Sequence, residues 1–327
     1  MRKKKKRILT GILAMTLLLG GCNIGGREVV ITGGLGSEDV FRIGGESCKL
    51  SEAKVYLANY QNIYGKSYGI DLWEQGFHKD KLTEYIKEIA LSEMSQIVCM
   101  DLLALDQEIS LSEDEKQKIE NAAKEYYLSL TEEEKEFTEA SESDIKSMYE
   151  DYVLADKVYR SLTVGIDAEV SDDEARIMEG MQIYVKGKKK AKEVEQKLAA
   201  GEDFAAVASN YNKKPVIEIT FGRGELPIEV EKAAFELDNE EISSCIEAEE
   251  GYYFIKCINK FNEELTDANK FKIVETREKA AFDDVYEEFV SGLDSKLNAE
   301  VWEDITLVTD GSISTDRFFE IIADAMK

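Results

Sequence analysis

Residues 240–260 read EEISSCIEAEEGYYFIKCINK, and the way this stretch folds decides the architecture. Apolar and polar residues alternate on both sides of Gly251, which predicts two short strands joined by a turn at the glycine. Upstream, FGRGELPIEVEKAAFEL (221–237) predicts a glycine turn and then a helix. KKKAKEVEQKLAAGEDFAAVASNYN (188–212) predicts two helices around Gly201, and MQIYVKG (181–187) a strand. The order is strand, helix, helix, helix, strand, strand. Such an order mixes helices and strands in one unit.

The flanks are of a different kind. VFRI (40–43) alternates like a strand and ends in a GGES turn. From Ser51 to about Leu162 the spacing is helical. KLTEYIKEIALSEMSQIVCMDLLALDQE (81–108) sets Leu82, Tyr85, Ile86, Ile89, Ile97, Val98, Leu102 and Leu105 on one stripe. Ser112 with Glu115, and Thr131 with Glu134, have capping-box spacing. Tyr126, Tyr127, Tyr149, Tyr152 and Tyr159 fall on the apolar faces of these helices, where packing between helices accounts for most of them. A minority left exposed on a concave face would be free to hold unfolded chain. Residues 263–300 return to helix, ITLV (305–308) reads as a strand, and 314–327 as a short amphipathic helix. Only two prolines occur, Pro215 and Pro227, so long helices run with few breaks.

The N-terminus concerns location. MRKKKKR is followed by the uncharged ILTGILAMTLLLGG and then Cys22. A basic stretch, an apolar stretch and small residues before a cut make a secretory signal, and the apolar run is shorter than a membrane span of about 20 residues. Leu19-Gly20-Gly21-Cys22 resembles the bacterial lipobox. That resemblance implies cleavage before Cys22 and lipidation of its thiol and new amino group, which gives stable anchoring. An ordinary signal with an incidental cysteine is the alternative. The segment takes six of the 41 basic residues and none of the 67 acidic ones. The remaining strongly acidic chain repels nucleic acid and anionic headgroups. Residues 23–39 are glycine-rich and read as a tether. GGLG (33–36) lacks the strand and helix context of a phosphate loop.

Four cysteines remain, Cys48, Cys99, Cys245 and Cys257. Their spacing is no metal pattern. Cys99 reads as core, and Cys245 and Cys257, flanking the hairpin, read as free thiols in preference to a bridge. The single histidine, His78, cannot form a His-pair zinc site, and it reads as a surface or capping residue before a helix. No metal and no cofactor are expected. KGKKKAK (186–192) reads as the solvated start of a helix, with a grip on acidic chains as the lesser reading.

AAGEDFAAVASNYN, FGRGELPIEVEKAAFEL and EEISSCIEAEEGYYFIK resemble, in that order, phrases of the parvulin-type prolyl isomerase domain. VFRIGGES, LSEAKVYL and ALDQEISLSEDEKQKIENAAKEYY resemble the helical chaperone region of SurA-like and PrsA-type foldases. The resemblance implies an α+β protein in which a parvulin-like domain is inserted into a mostly helical chaperone domain. The implied layout is a lipoprotein signal over 1–21 and a lipidated Cys22 with its tether over 22–39. A helical part over 40–170 and a parvulin-like domain over 178–262 follow. A helix and strand over 263–310 complete the helical domain, and a terminal helix occupies 311–327.

Parvulins grip a proline on an apolar floor beside two facing histidines and an Asp or Cys. The resemblance places the floor at Leu226 and Val230, with Phe221 and Phe254 as further substrate-binding candidates. The histidine positions fall on Gln182 and Tyr253, and Glu218 is the nearest acid in a shortened loop, NKKPVIEITFGRG (212–224). Gln182 and Tyr253 are expected to hydrogen-bond each other, but they cannot titrate near neutral pH as imidazoles do. Filling space and residual activity both stay open for them.

The function so implied is a membrane-anchored extracytoplasmic foldase or chaperone for exported proteins, with prolyl cis-trans isomerase activity weak or lost. A non-catalytic scaffold lipoprotein recognising one extracytoplasmic partner is the alternative. A fully active isomerase using Glu218 or Tyr253 in new roles is a third reading. The implied partners are unfolded or nascent exported polypeptides and, through the lipid, the membrane. No nucleic acid is expected, and a homodimer through the helical part stays open.

Overall fold

The structure, a computed structural model, describes residues 23–24, 27–28, 30–31, 35–67, 70–73 and 79–327. The signal segment, Cys22 and His78 lie outside the described residues. The chain forms two units. One holds the chain up to Val164 together with Phe282–Lys327, and the other is Gly165–Ala281.

In the first unit, β1 (Asp39–Ile43) and β2 (Glu46–Lys49) pair antiparallel across Gly44-Gly45. Both glycines have positive φ, 58° and 101°, as so short a turn requires. Helix α1 (Leu50–Gly65) follows at once, with the Lys49 N–H held by Glu52 at 2.9 Å. Its residues 53 and 55–62 are all buried, so this helix is central rather than one-faced. Helix α2 (Lys79–Asp106) buries Ile86, Ala90, Met94, Ile97, Met100 and Leu103. The expected stripe is therefore offset, since Tyr85 and Leu105 are exposed. The three helices that follow start on capping boxes: α3 (Glu113–Ser129) on Ser112 with Glu115, α4 (Glu132–Thr138) on Thr131 with Glu134, and α5 (Glu142–Thr163) on Ser141 with Asp144.

The second unit opens with the single turn α6 (Asp172–Ala175) and β3 (Met178–Val185). Helices α7 (Lys188–Ala199) and α8 (Phe204–Tyr211) follow, then β4 (Glu218–Phe221), α9 (Ile228–Phe235), β5 (Ile246–Ala248) and β6 (Gly251–Asn259). The sheet order is β5-β6-β3-β4, antiparallel throughout. Strand β4 falls where the sequence reads as a shortened loop. Its four residues follow Pro215 and run into Gly222, too brief a run to show alternation.

Each face of this sheet carries its own core. Met178, Tyr184, Tyr253, Ile255 and Cys257 pack with Phe221 and with Val230, Ala234 and Phe235 around α9. Ile183, Val185 and Phe254 pack on the other face with Ala191 and Val194 of α7 and Phe204 and Val207 of α8. Cys257 belongs to the first cluster and Cys245 packs against the second, so the two thiols do not face one another. All four described cysteines are free.

Helix α10 (Glu263–Val290) carries the chain across the unit boundary, which falls after Ala281. Next, β7 (Ser295–Leu297) pairs antiparallel with β1 and parallel with Val30–Ile31. Helices α11 (Ala299–Asp304) and α12 (Phe318–Ala325) end the unit. The strand of this region is thus 295–297 and not the expected 305–308, which is irregular. The Val308 backbone pairs instead with the side-chain amide of Gln61, at 2.9 and 3.2 Å. Backbone groups without a ladder still need partners, and here a buried glutamine supplies them. Among the described residues no helix is long and apolar enough to cross a membrane.

Candidate functional site

The site is built on β3 and β6. Their register sets Tyr253 opposite Tyr184 and Ile255 opposite Gln182. Side chains alternate along a strand, so Gln182, Tyr184, Tyr253 and Ile255 share the face under α9. Leu226, Val230 and Phe221 belong to the same cluster. Two expected residues do not. Phe254 is one step from Tyr253, so it points into the opposite core against α7 and α8. Glu218 stands opposite Met181 on the edge strand β4, and opposed residues share a face, so it too lies on the far side. Glu218 and Phe254 are thereby removed from the candidate constellation by strand parity.

Gln182 and Tyr253 do not satisfy one another. Gln182 is buried, and its Nε2 donates to the Val216 carbonyl at 3.1 Å, while its backbone N–H donates to Ile217 at 2.8 Å. The Tyr253 hydroxyl donates to Glu250 Oε2 at 3.2 Å. Each polar end is bound to the neighbouring loop or turn. The apolar floor also differs from expectation, because Val230 is wholly buried and Phe221 nearly so. Only Leu226 is half-exposed, at the margin of the cluster. Val230 is core, and the open part of the floor is the Leu226 end.

Three residues that the sequence reading passed over complete the geometry. The Tyr184 and Tyr253 rings lie 4.8 Å apart at 45°. Lys214 Nζ stands 5.1 Å from the first ring and 5.9 Å from the second, within range of a cation–π attraction. Glu250 accepts from Lys214 Nζ at 3.0 Å, and its carbonyl accepts from the Tyr184 hydroxyl at 2.6 Å. The hydrogen bond from Lys214, then that from Tyr253, hold the Glu250 carboxyl below its ordinary range. Glu250 in turn pushes the Lys214 ammonium up. Burial, ahead of the opposing effect of Lys214, raises the Tyr253 hydroxyl. All three groups therefore keep their ordinary neutral-pH charge states, and none serves as a proton donor and acceptor near neutrality. Tyr184 was within reach of the sequence, since it has the same parity as Gln182. Lys214 and Glu250 sit in a loop and a turn, where no periodicity marks them.

Gly251 allows this arrangement. Its φ is 149°, and a Cβ there would meet the Val185 carbonyl at 2.7 Å and the Tyr184 ring at 3.0 Å. Gly251→Ala is expected to destabilise the unit by about 2 kcal/mol and to displace the Tyr184 ring, a change that near-ultraviolet circular dichroism and urea unfolding would read. Among the described residues no group of three or more His, Cys, Asp or Glu side chains is placed to hold a metal ion.

Residues 167–272 match the protein family described as the PPIC-type PPIASE domain. The foldase protein PrsA of Caldanaerobacter subterraneus is 27% identical over 229 residues, covering 62% of this chain and 70% of that protein. The foldase protein PrsA of Clostridium acetobutylicum is 24% identical over 340 residues, covering 91% of this chain and 98% of that protein. Among solved structures, the peptidylprolyl isomerase PrsA of Bacillus cereus covers 84% of this chain and 95% of its own at 20% identity, with a TM-score of 0.37. The unit built on the β5-β6-β3-β4 sheet is thus a PPIC-type parvulin domain, and the chain that carries it is PrsA-like.

Proposed function

We propose that the protein is a lipid-anchored extracytoplasmic foldase that holds exported polypeptides as they fold, with prolyl isomerisation weak or absent. The observation that carries the foldase reading is the match to PrsA foldases, which extends over most of the chain. The lipobox-like Leu19-Gly20-Gly21-Cys22 after a basic and apolar leader supports the anchor.

Prolyl isomerisation must overcome an amide barrier of roughly 18–20 kcal/mol. Lowering it takes a pocket that admits the proline ring and polar groups that stabilise the twisted amide. Here Gln182 and Tyr253 stand at the positions read as histidines, and both have their polar ends engaged. Val230 is closed to solvent. These features favour retained binding at the Leu226 end with little catalysis.

The test pairs two assays on one preparation. The protein is expected to suppress aggregation of an unfolded client, while a proline-peptide isomerisation assay runs at or barely above the uncatalysed rate. Leu226→Asp should weaken client holding. Failure to suppress aggregation at excess would overturn the foldase reading, and a single fixed partner in pull-downs would then favour the scaffold. Fast isomerisation lost in Leu226→Asp would overturn the weak-activity reading.

A further inference from the structure

Lysines crowd one end of the parvulin sheet in a chain where acids outnumber bases 67 to 41. Strand β3 runs out into KGKKKAK (186–192), and the loop after α8 brings Lys213-Lys214 to the same end. There the Lys213 N–H donates to the Tyr184 carbonyl at 3.0 Å. Gly251, which opens β6, lies against the Lys186 backbone. A pile of like charge costs free energy unless something opposes it.

On Lys214 one carboxylate is already seated. Glu250 is held by the Lys214 ammonium at 3.0 Å and by the Tyr253 hydroxyl at 3.2 Å, and the charge of Lys186 acts on it as well. Yet Glu250 sits on the turn between β5 and β6, and its side chain is 60% exposed. An ammonium and a buried phenol, beside two rings tilted at 45°, make a carboxylate seat. The residue filling it hangs on a solvent-facing turn and can leave without unpacking the core.

We infer that this end of the parvulin domain selects client segments bearing Asp or Glu, whose carboxylate replaces that of Glu250 on Lys214 and Tyr253 while the lysine rim holds neighbouring acids. This rests on the foldase reading, for which it supplies a substrate class. Exported chains of acidic character fit by charge complementarity. The seat lies on the Leu226 face of the sheet, so an acidic residue near a proline is the favoured pattern. Glu193, which pairs with Lys190 at 2.6 Å, and Glu247, which accepts from the Tyr252 hydroxyl at 3.0 Å, occupy neighbouring groups without reaching Lys214.

The test measures fluorescence anisotropy of labelled decapeptides on the full chain, with a central proline flanked by Glu, Gln or Lys. At low salt the Glu peptide is expected to bind about fivefold tighter than the Gln peptide. The two should converge in about 0.5 M salt. Lys214→Met should bring the Glu peptide to the level of the Gln peptide, and Lys186→Glu should weaken it in part. Glu250→Gln should strengthen it by removing the internal competitor. Equal binding of Glu and Gln peptides by the wild type at low salt, or no gain in Glu250→Gln, would overturn the inference. So would anionic phosphatidylglycerol vesicles binding through these lysines while the Glu peptide does not. If aggregation is still suppressed, the foldase reading survives such a result. If no peptide binds and no client is protected, the foldase reading fails with it.

Discussion

Deleting residues 311–327 leaves the helical unit unable to reach its native state, and Phe318→Ala alone costs it about 3–5 kcal/mol. Phe318 is fully buried, with its ring 4.5 Å from Tyr149, 5.2 Å from Tyr126 and 5.7 Å from Tyr56. Its backbone is fixed too, since its N–H donates to Asn59 at 3.1 Å and its carbonyl accepts from the Tyr149 hydroxyl at 2.7 Å. The segment before it is laced to α1 and α4. Asn62 donates to the carbonyls of Ile313 and Thr315 at 3.1 and 3.0 Å, and Glu134 accepts the N–H groups of Ser314 and Thr315, both at 2.8 Å. Deletion removes the ring and takes hydrogen-bond partners from the buried Asn59, Asn62 and Glu134, which keep only those to Val55 and Tyr126, to Ala58 and to Thr131. Each lost hydrogen bond costs about 0.5–1.5 kcal/mol. Buried Ile313, Ile321 and Ile322 are lost as well, at about 2–5 kcal/mol each, and against a typical stability of about 5–15 kcal/mol the sum exceeds what one unit can lose. Urea unfolding followed by far-ultraviolet circular dichroism checks this, and a truncated chain with an unchanged transition would refute it.

That result also bears on what the sequence disclosed. The amphipathic pattern of 314–327 announces a helix. It does not announce that the helix and the chain before it complete the core, because the residues that hold them, Asn59, Gln61 and Asn62, are of polar types that are mostly exposed. Their burial follows from an irregular chain lying across α1, a fact fixed by contacts more than 240 residues apart. The capping boxes at Ser112 and Thr131 and the hairpin at Gly251 were legible because they are local. Strand parity was legible as well, and it would have separated Phe254 from Tyr253. Glu218 was misplaced for a different reason, since a four-residue edge strand leaves no periodic trace. The seat formed by Lys214, Tyr184 and Glu250 was illegible, being assembled from a loop, a strand and a turn.

The helical unit is expected to be more stable near pH 5 than near pH 8, and Asp101→Asn to remove part of that difference, leaving the part due to Asp151 and Glu93. Asp101 on α2 has a buried Oδ1 without a hydrogen-bond partner. Burial first, then the charges of Asp151 on α5 and Glu46 on β2, push its carboxyl well up. Asp151 is raised in the same way, by burial and then by Glu52 on α1, Glu150 and Glu46. Glu93, buried against the Tyr60 hydroxyl, is pushed up to about 7. In the unfolded chain such groups ionise near pH 4. Between there and their folded values the unfolded state has released protons that the folded state keeps. Stability therefore falls as pH rises, by about 1.4 kcal/mol per unit and per proton. Other carboxyls bound the acid side. Glu115, against the opposing effect of burial, is held down to about 2 by Lys157 and Ser112, so its contribution is present above about pH 4.5 and is lost on acidification. The optimum falls between these two slopes. Asp101→Asn removes the ionisation and the repulsion of Asp151 and Glu46 while keeping the shape. A gain of about 2–4 kcal/mol at pH 8 is expected, with little change at pH 5. Thermal unfolding of both proteins at the two pH values decides it. A wild type as stable at pH 8 as at pH 5 would mean these carboxyls are ionised in the fold, with the Asp101–Asp151 repulsion relieved by a counter-charge.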